Sequence, residues 1–550
     1  MDTPFPLNED VLFMIFDALN TQSDVLAMMS TCWPIYYLGV KSLLRMGANI
    51  VKDTSLVSFC HFMGRNLVMH GAYLTRLRLA IPRDAVDDDS DGSSSEGSLV
   101  DEDHDPLLRG ASLLVPVLKG LTNLQILDID FCDCLLQCDG RLMDAIAALQ
   151  SIRELRIAYF GLRTYNLISS IRSPIVRLYM DCMRPELGRT HQFYSELPDP
   201  LDLLKKHKET LEDVSLCYVN ATALVVSPGP STSVYPRVRS LTLSTSGFKE
   251  REILVDAFPN LRVLDVTKGH GEFESDLEST RARNRTVRCW AALEHVYGDI
   301  GSLYKLGLTC PVGRLDVALD FIEEWREELH EMLSDLLWAP SLERVVFRLG
   351  YCALLAGRKL DNEGGVFASD IINLLPQDAM AYGVTHLGLD SNADLLVEDP
   401  SDYQMAVITL LSRLNVKFFT FRMHVCVVER EGEYDHNVSA GFYGKRVLWR
   451  FQDPFLLPWA IDMAEAAPTV EFLCFEVMHT RTCWQVKRHS VGNPFTLVLL
   501  SEEASSDLVR NEGMEWHHTV QARPGFSVDV MVYEGESDSD DESDDEGDVM

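Results

Sequence analysis

The chain has 550 residues, 46% of them apolar and 24% charged, with 83 acids against 49 bases and a net charge of −34. That length exceeds one compact core and predicts two or more units or an elongated repeat array. A balance this acidic excludes a protein built to hold phosphate backbones non-specifically, because that affinity comes from Lys and Arg displacing counterions.

The first residues reach Glu9 and Asp10 at once, without the basic and apolar regions of a signal peptide. No apolar run approaches the roughly 18 residues of a spanning helix. The expectation is a soluble protein of the cytoplasm, the nucleus or both, with no membrane and no nucleic acid among its partners. Thirteen cysteines then read as reduced thiols, and the sequons at Asn220, Asn284 and Asn437 as unused.

Three short helices are predicted in residues 1–46. Asn8 is placed to cap the first, with Leu12, Ile15, Phe16 and Leu19 on one apolar face. Ser23-Asp24 signals a second start before Val25 and Leu26. Pro34 stands where a third helix would begin, with Tyr36, Val40, Leu43 and Leu44 on one stripe. So small a bundle gains stability by docking.

From Leu74 onward, apolar residues recur at i, i+3 and i+5. Leu74/Leu77/Leu79, Leu124/Leu127/Ile129, Ile152/Leu155/Ile157, Ile175/Leu178/Met180 and Leu211/Val214/Leu216 come first. Val238/Leu241/Leu243, Leu261/Leu264/Val266, Leu342/Val345/Phe347, Val384/Leu387/Leu389, Val416/Phe419/Phe421 and Val470/Leu473/Phe475 follow. Pro236, Pro259, Pro340 and Pro468 each precede a triplet by two residues, where proline stops a helix ahead of a strand. Helices are predicted between the strands, over Arg141–Gln150, Leu201–Lys208, Glu250–Phe258, Tyr403–Leu414 and Leu456–Ala466. One long helix is predicted over Leu319–Leu337.

Two acidic runs interrupt or end this pattern. Asp84–Asp105 and Glu534–Met550 each hold ten acids and no Lys or Arg, so both are predicted to be solvated and disordered. Ser537, Ser539 and Ser543 each have an acid three residues on, the pattern that acidophilic kinases prefer.

Hydrolase and nucleotide-binding motifs of the Gly-x-Ser-x-Gly, P-loop and His-Glu-x-x-His types are missing; His330-Glu331 leads to Ser334. Cys132, Cys134 and Cys138 lack a fourth zinc ligand nearby, and Asp87–Ser98 lacks the closing Glu of a calcium loop. His517-His518 reads as an exposed pair. The expectation is a non-enzyme without cofactor or metal.

Pro6-Leu7-Asn8-Glu9-Asp10-Val11-Leu12, Ile15-Phe16, Leu19, Ser23-Asp24-Val25-Leu26, Ser30-Thr31-Cys32-Trp33, Tyr37-Leu38-Gly39 and Leu43-Leu44-Arg45 together resemble an F-box, of the kind common in large fungal families. Trp33-Pro34 departs from it, since the family commonly has a basic residue there. The resemblance implies a three-helix module that docks on the Skp-type adaptor of a cullin-based (SCF-type) ubiquitin ligase. Pro6, Leu7, Leu12, Ile15, Phe16, Leu19 and Leu26 are then the adaptor-binding candidates. The alternating strands and helices, mostly 23 to 36 residues apart, resemble leucine-rich repeats. Only Cys132 clearly fits that family's Asn/Cys position, and the spacing stretches near the C-terminus.

The predicted fold class is thus α/β: an N-terminal three-helix F-box followed by an irregular leucine-rich-repeat-like α/β solenoid. Its parts are 1–46 helical module, 47–83 linker and first repeat, 84–105 acidic insertion, 106–533 repeat domain, irregular after about 350, and 534–550 acidic tail. A layered α/β domain is the alternative for the last third. The expected function is substrate recognition for the ligase. A scaffold with a degenerate F-box and an enzyme whose site the motifs miss are the alternatives. By period-two alternation the residues flanking the inward apolar pair face the target. They are Asp128, Asp130, Arg156, Tyr179, Asp181, Ser215, Asp265 and Thr267, then Arg348, Asp390 and Arg422. The acids of the earlier strands predict a target with a basic segment.

Overall fold

The computed structural model describes residues 9–19, 21–81, 106–182, 203–220, 233–246, 251–268, 277–319, 328–349, 368–376, 378, 383–392, 400–424, 456–477, 480–489 and 495–516. Asn8, the acidic insertion, His517-His518 and the acidic tail lie outside the described residues. The chain is mixed α/β and divides into two units, residues 1–314 with 339–341, and 315–338 with 342–550.

The first unit opens with α1 (Glu9–Ala18), α2 (Gln22–Met29) and α3 (Trp33–Met46). The cap of α2 is Thr21, two residues before the predicted signal. Its hydroxyl accepts from the Asp24 N–H at 3.1 Å and donates to the Asp24 carboxylate at 2.6 Å, a local closure that Ser23 cannot make from inside the helix. Pro34 lies in the first turn of α3, where its missing N–H has no intrahelical partner to lose. The three helices meet at Gly39. A Cβ there would stand 2.2 Å from Met29 Cγ and 2.8 Å from Phe16 Cζ, so the crossing needs glycine.

Of the span predicted as linker and first repeat, residues 47–81 are described. They hold β1 (Ala48–Ile50), α4 (Asp53–Arg65), α5 (Leu67–Tyr73) and β2 (Arg76–Leu79). After it come α6 (Pro106–Gly120), β3 (Ile126–Ile129), α7 (Cys132–Cys138), α8 (Arg141–Ala147), β4 (Glu154–Ala158), α9 (Leu162–Ser170), β5 (Arg177–Asp181) and a short 3-10 turn, Lys205–His207. Then follow β6 (Asp213–Asn220), β7 (Ser240–Ser246), α10 (Arg251–Ala257), β8 (Val263–Lys268), α11 (Leu277–Thr286), β9 (Leu293–Asp299) and α12 (Ile300–Leu306). Strands β1 to β9 pair in sequence order, every pair parallel. Parallel neighbours need a crossover, which helices supply from β1 to β5 and from β7 to β9.

The strand β10 (Val312–Leu319) carries residues of both units. The second unit contains α13 (Leu329–Leu337), β11 (Arg344–Leu349), α14 (Ala368–Leu374), β12 (His386–Asn392), α15 (Pro400–Ser412), β13 (Phe418–His424), α16 (Leu456–Ala466) and β14 (Phe472–Val477). It ends with β15 (Thr480–Arg488), β16 (Phe495–Leu499) and α17 (Glu502–Asn511). Strands β11 to β14 are parallel, so the repeating order continues past residue 350; β14, β15 and β16 then pair antiparallel. The long helix predicted over Leu319–Leu337 is corrected at its first residue, since Leu319 ends β10; residues 320–327 lie outside the described residues, and α13 runs from Leu329. The apolar stripe of α13 is real, but Leu319 belongs to the strand run Leu315-Asp316-Val317-Ala318-Leu319, all of it buried.

All eleven apolar triplets sit at parallel strands, and none of their side chains is more than 5% exposed. This is the physical content of the spacing: the last two residues point inward on one strand face, and the first closes the turn beneath it. In the second unit the core is aromatic. Phe421, Trp459, Phe475 and Trp484 meet edge-on or tilted at 5.0 to 5.5 Å.

Candidate functional site

In the first unit, the outward position of each strand falls in lateral register. Arg78, Asp128, Arg156, Tyr179, Ser215, Thr242, Asp265 and Tyr297 form one row from β2 to β9. Neighbours in such a row stand about 4.8 Å apart, so each side chain answers the next.

Over β2 to β6 the row and its flanks form a network of carboxylates, guanidiniums and a phenol. Arg78 reaches Asp130 at 3.3 Å and Asp128 at 3.8 Å. Glu154 takes Arg156 at 2.6 Å on one oxygen and Arg177 at 3.0 Å on the other. The Arg156 guanidinium lies over the Tyr179 ring, 4.7 Å from its centre. The Tyr179 hydroxyl donates to Asp213 at 3.2 Å. Burial, with the charges of Asp213 and Glu154 beside it, pushes the Tyr179 phenol up to about 12. Burial also raises the Asp213 carboxyl above its usual range. Tyr179 is therefore a fixed donor at neutral pH. Counting Asp181 as well, acids outnumber bases in this group.

Beside it, Phe131 and Tyr159 stack with ring centres 4.1 Å apart at 16°. Each follows its strand's last triplet residue by two positions, and each has a left-handed backbone, with φ of 54° and 55°. Non-glycine residues hold that conformation at a cost of about 1–3 kcal/mol, so the surrounding fold enforces the paired aromatic platform. A platform of two rings next to surplus carboxylates is chemistry suited to a lysine or arginine side chain.

The row in the second unit differs. Asp316, Arg348, Asp390, Arg422, Glu476 and Arg481 alternate in sign, with ion-pair distances between 2.6 and 4.0 Å. The Trp516 ring stands 5.9 Å from the Arg422 guanidinium. Here every predicted arginine is matched by a carboxylate of its own unit.

At the edge where β6 to β9 begin, a cleft of about 560 Å³ is lined by Glu212, Arg237, Arg239, Arg262 and Glu294 with Pro236 and Pro259. Glu212 pairs with Arg237 and Glu294 with Arg262, both at 2.9 Å.

The predicted target-facing residues thus fall into two separate groups. Asp128, Asp130, Arg156, Tyr179, Asp181, Ser215, Asp265 and Thr267 belong to the first unit, and Arg348, Asp390 and Arg422 to the second. Asp128, Asp130, Ser215 and Asp390 are buried, against the expectation of an open face. The reason for the aspartates is lateral: Arg78, Arg348 and Arg422 are long enough to reach the carboxylates of the adjoining strands.

Of the adaptor-binding candidates, Pro6 and Leu7 lie outside the described residues. Leu12 and Phe16 are each 1% exposed and build the module's own core, and Leu19 is half-buried. Ile15 and Leu26 are exposed, at 39% and 51%. Val11, Met14, Trp33 and Tyr37 are exposed as well, although none was a candidate. Cys132, Cys134 and Cys138 share α7, and no group of three or more potential metal ligands occurs among the described residues.

Sequence reasoning missed Arg78, Glu154, Asp213 and the Phe131–Tyr159 pair. The aromatics carried a readable signal, since both stand two residues after a triplet. No family model matches the chain, and no curated protein matches it. No helix among the described residues is long and apolar enough to cross a membrane.

Proposed function

We propose that this chain is the substrate-recognition subunit of a cullin-based, SCF-type ubiquitin ligase. Helices α1 to α3 would be its F-box, docking on a Skp-type adaptor, and the strand–helix units would be leucine-rich-repeat-like modules that hold the target. The reaction belongs to partner subunits, and the chain works in the cytoplasm, the nucleus or both.

The observation that carries this reading is the apolar surface left on a closed three-helix module. Val11, Met14 and Ile15 are exposed at i, i+3 and i+4 of α1, and Leu26 is exposed on α2. Trp33 and Tyr37 are about 70% exposed on α3, with their rings tilted against each other at 5.5 Å. Large apolar side chains left exposed along helices in this way mark docking sites. The acid-rich, aromatic face of β2 to β6 supports a target with a basic segment.

Co-purification of a Skp-type adaptor with the full chain and with a variant lacking residues 1–46 tests the proposal. Adaptor recovered with the full chain and lost with the folded truncation supports it. Adaptor retained by the truncation, or recovered with neither, refutes it, and the second result favours a scaffold with a degenerate F-box.

A further inference from the structure

Two cysteines far from the polar face are brought together by one buried arginine. Arg251, the first residue of α10, is fully buried. Its Nη1 donates to the carbonyls of Leu306 at 3.1 Å and Gly307 at 2.6 Å, and its Nη2 to Val287 at 2.8 Å and to Asn284. Asn284 completes the stitch: its Oδ1 accepts from the Arg251 N–H, and its Nδ2 donates to the Lys305 carbonyl at 2.8 Å. The C-terminal ends of α11 and α12 are thereby fixed to one guanidinium. The Leu293 N–H donates to the Pro311 carbonyl at 2.9 Å, holding the segments after the two helices side by side.

Cys289 stands in the first of those segments and Cys310 in the second. Cys289 is half-buried, whereas Cys310 is buried. The Cys289 sulfur bonds to the Cys310 thiol and accepts from the backbone N–H groups of Thr309 and Cys310, with Arg251 as the nearby cation. The flanking Arg288 is occupied by Asp256 at 2.6 Å. Cys289, the half-buried sulfur, is the one that an incoming reagent can reach, and Cys310, buried behind it, is placed to resolve; the donors around Cys289 favour its thiolate.

We propose that Cys289 and Cys310 form a hydroperoxide-reactive dithiol, in which Cys289 attacks and Cys310 resolves. The Cys289 thiolate bonds to the terminal oxygen of the hydroperoxide as the O–O bond breaks. The alkoxide or hydroxide leaves and takes a proton from water, and Cys289 becomes a sulfenic acid. The Cys310 sulfur then bonds to the Cys289 sulfur as the S–O bond breaks, and the departing hydroxide takes the Cys310 proton as water. Two electrons have passed from the two thiols to the peroxide. The resulting disulfide staples the segments that Arg251 already holds together.

The chain also supplies its own controls. Cys474 and Cys483 are directly opposite each other on β14 and β15, but both are buried and out of a peroxide's reach. Cys134 and Cys217 are half-buried like Cys289 but lie away from Arg251.

The test uses the full chain, reduced and then treated with hydrogen peroxide, blocked with an alkylating agent and mapped by mass spectrometry after trypsin. The expected product joins the peptides 289–305 and 306–314 with the loss of two hydrogens. In Cys310→Ser, the expected product is a dimedone adduct on Cys289. On the wild-type chain, alkylation of Cys289 should change less than about threefold between pH 8 and pH 6, while free cysteine in the same buffer slows by about 50-fold or more as it loses its thiolate. The rate at neutral pH is a poor discriminator, because a lower pKa raises the thiolate fraction but lowers its nucleophilicity. A Cys289 rate that falls in parallel with that of free cysteine overturns the proposal, as does peroxide treatment that leaves Cys289 and Cys310 unjoined. The pH profile needs no substitution, so poor folding of a variant cannot rescue the idea.

Discussion

The division of the N-terminal module into inward and outward apolar residues makes a sharp test of adaptor docking. Ile15 and Leu26 are 39% and 51% exposed, whereas Leu12 and Phe16 are each 1% exposed. Burying what remains visible of Ile15 and Leu26 would contribute about 1 kcal/mol each, taking about 1.5–3 kcal/mol for complete burial of such a side chain. Placing a carboxylate in the same contact adds an unpaired charge to a desolvated interface, at a cost of about 2–5 kcal/mol. The double variant Ile15→Asp with Leu26→Asp should therefore weaken adaptor binding by at least about 100-fold, roughly 3 kcal/mol or more. Its folding should change little, because substitutions at exposed sites are usually worth within about 0.5 kcal/mol each. Phe16→Ala should behave oppositely, removing about 3–5 kcal/mol from the core of a very small module and abolishing binding through unfolding. Val68→Asp, at an 84% exposed position on α5, is the surface control and should leave binding unchanged. Titration calorimetry with a purified Skp-type adaptor gives the affinities, and circular dichroism reports the fold. A folded double variant that binds with wild-type affinity would refute the assignment of this face, whatever Phe16→Ala does.

Three further outcomes follow from packing and charge in the first unit. Asp213 has a folded pKa raised by burial, so its contribution to stability is complete below its unfolded value of about 3.8 and is lost as pH rises through the folded value. Asp213→Asn, which still accepts from Tyr179, should gain thermal stability relative to wild type at pH 7 and lose that advantage near pH 3.5; an equal difference at both values would contradict the shift. Gly298→Ala places a Cβ 2.2 Å from the Val266 carbonyl oxygen of the neighbouring strand and should cost about 1–3 kcal/mol or more, read as a lower denaturant midpoint. Glu154→Gln removes the carboxylate shared by Arg156 and Arg177 and should cost about 1–3 kcal/mol, with Arg177→Met costing much less because its side chain is more than half exposed.

What was legible in the sequence was whatever repeats along the chain. The triplets announce the parallel strands because each inward pair must be apolar, whatever its neighbours are. At β9 the same spacing is present as Leu293, Val296 and Gly298, but the last position is glycine, since β8 approaches too closely for any side chain. Val312, Leu315 and Val317 of β10 keep the spacing at a shorter interval than the rest. β1 is three residues long, and β15 and β16 pair antiparallel, so a rule about crossover units could reach none of them.

The candidate site was legible only as a set of outward positions, because its chemistry is lateral. Arg78 meets Asp128 and Asp130 across about fifty residues of chain, and Arg348 meets Asp390 across about forty. Alternation within one strand says which side chains point outward, but the register between strands decides which charges neutralise one another. Reading Arg348 and Arg422 as target-facing arginines took them one strand at a time; in their row they stand between Asp316, Asp390 and Glu476. The first unit keeps a surplus of carboxylates beside its aromatic pair, whereas the second unit's row is balanced. A basic target segment should therefore respond to changes at Asp181, Phe131 and Tyr159 before it responds to any change at Arg348 or Arg422.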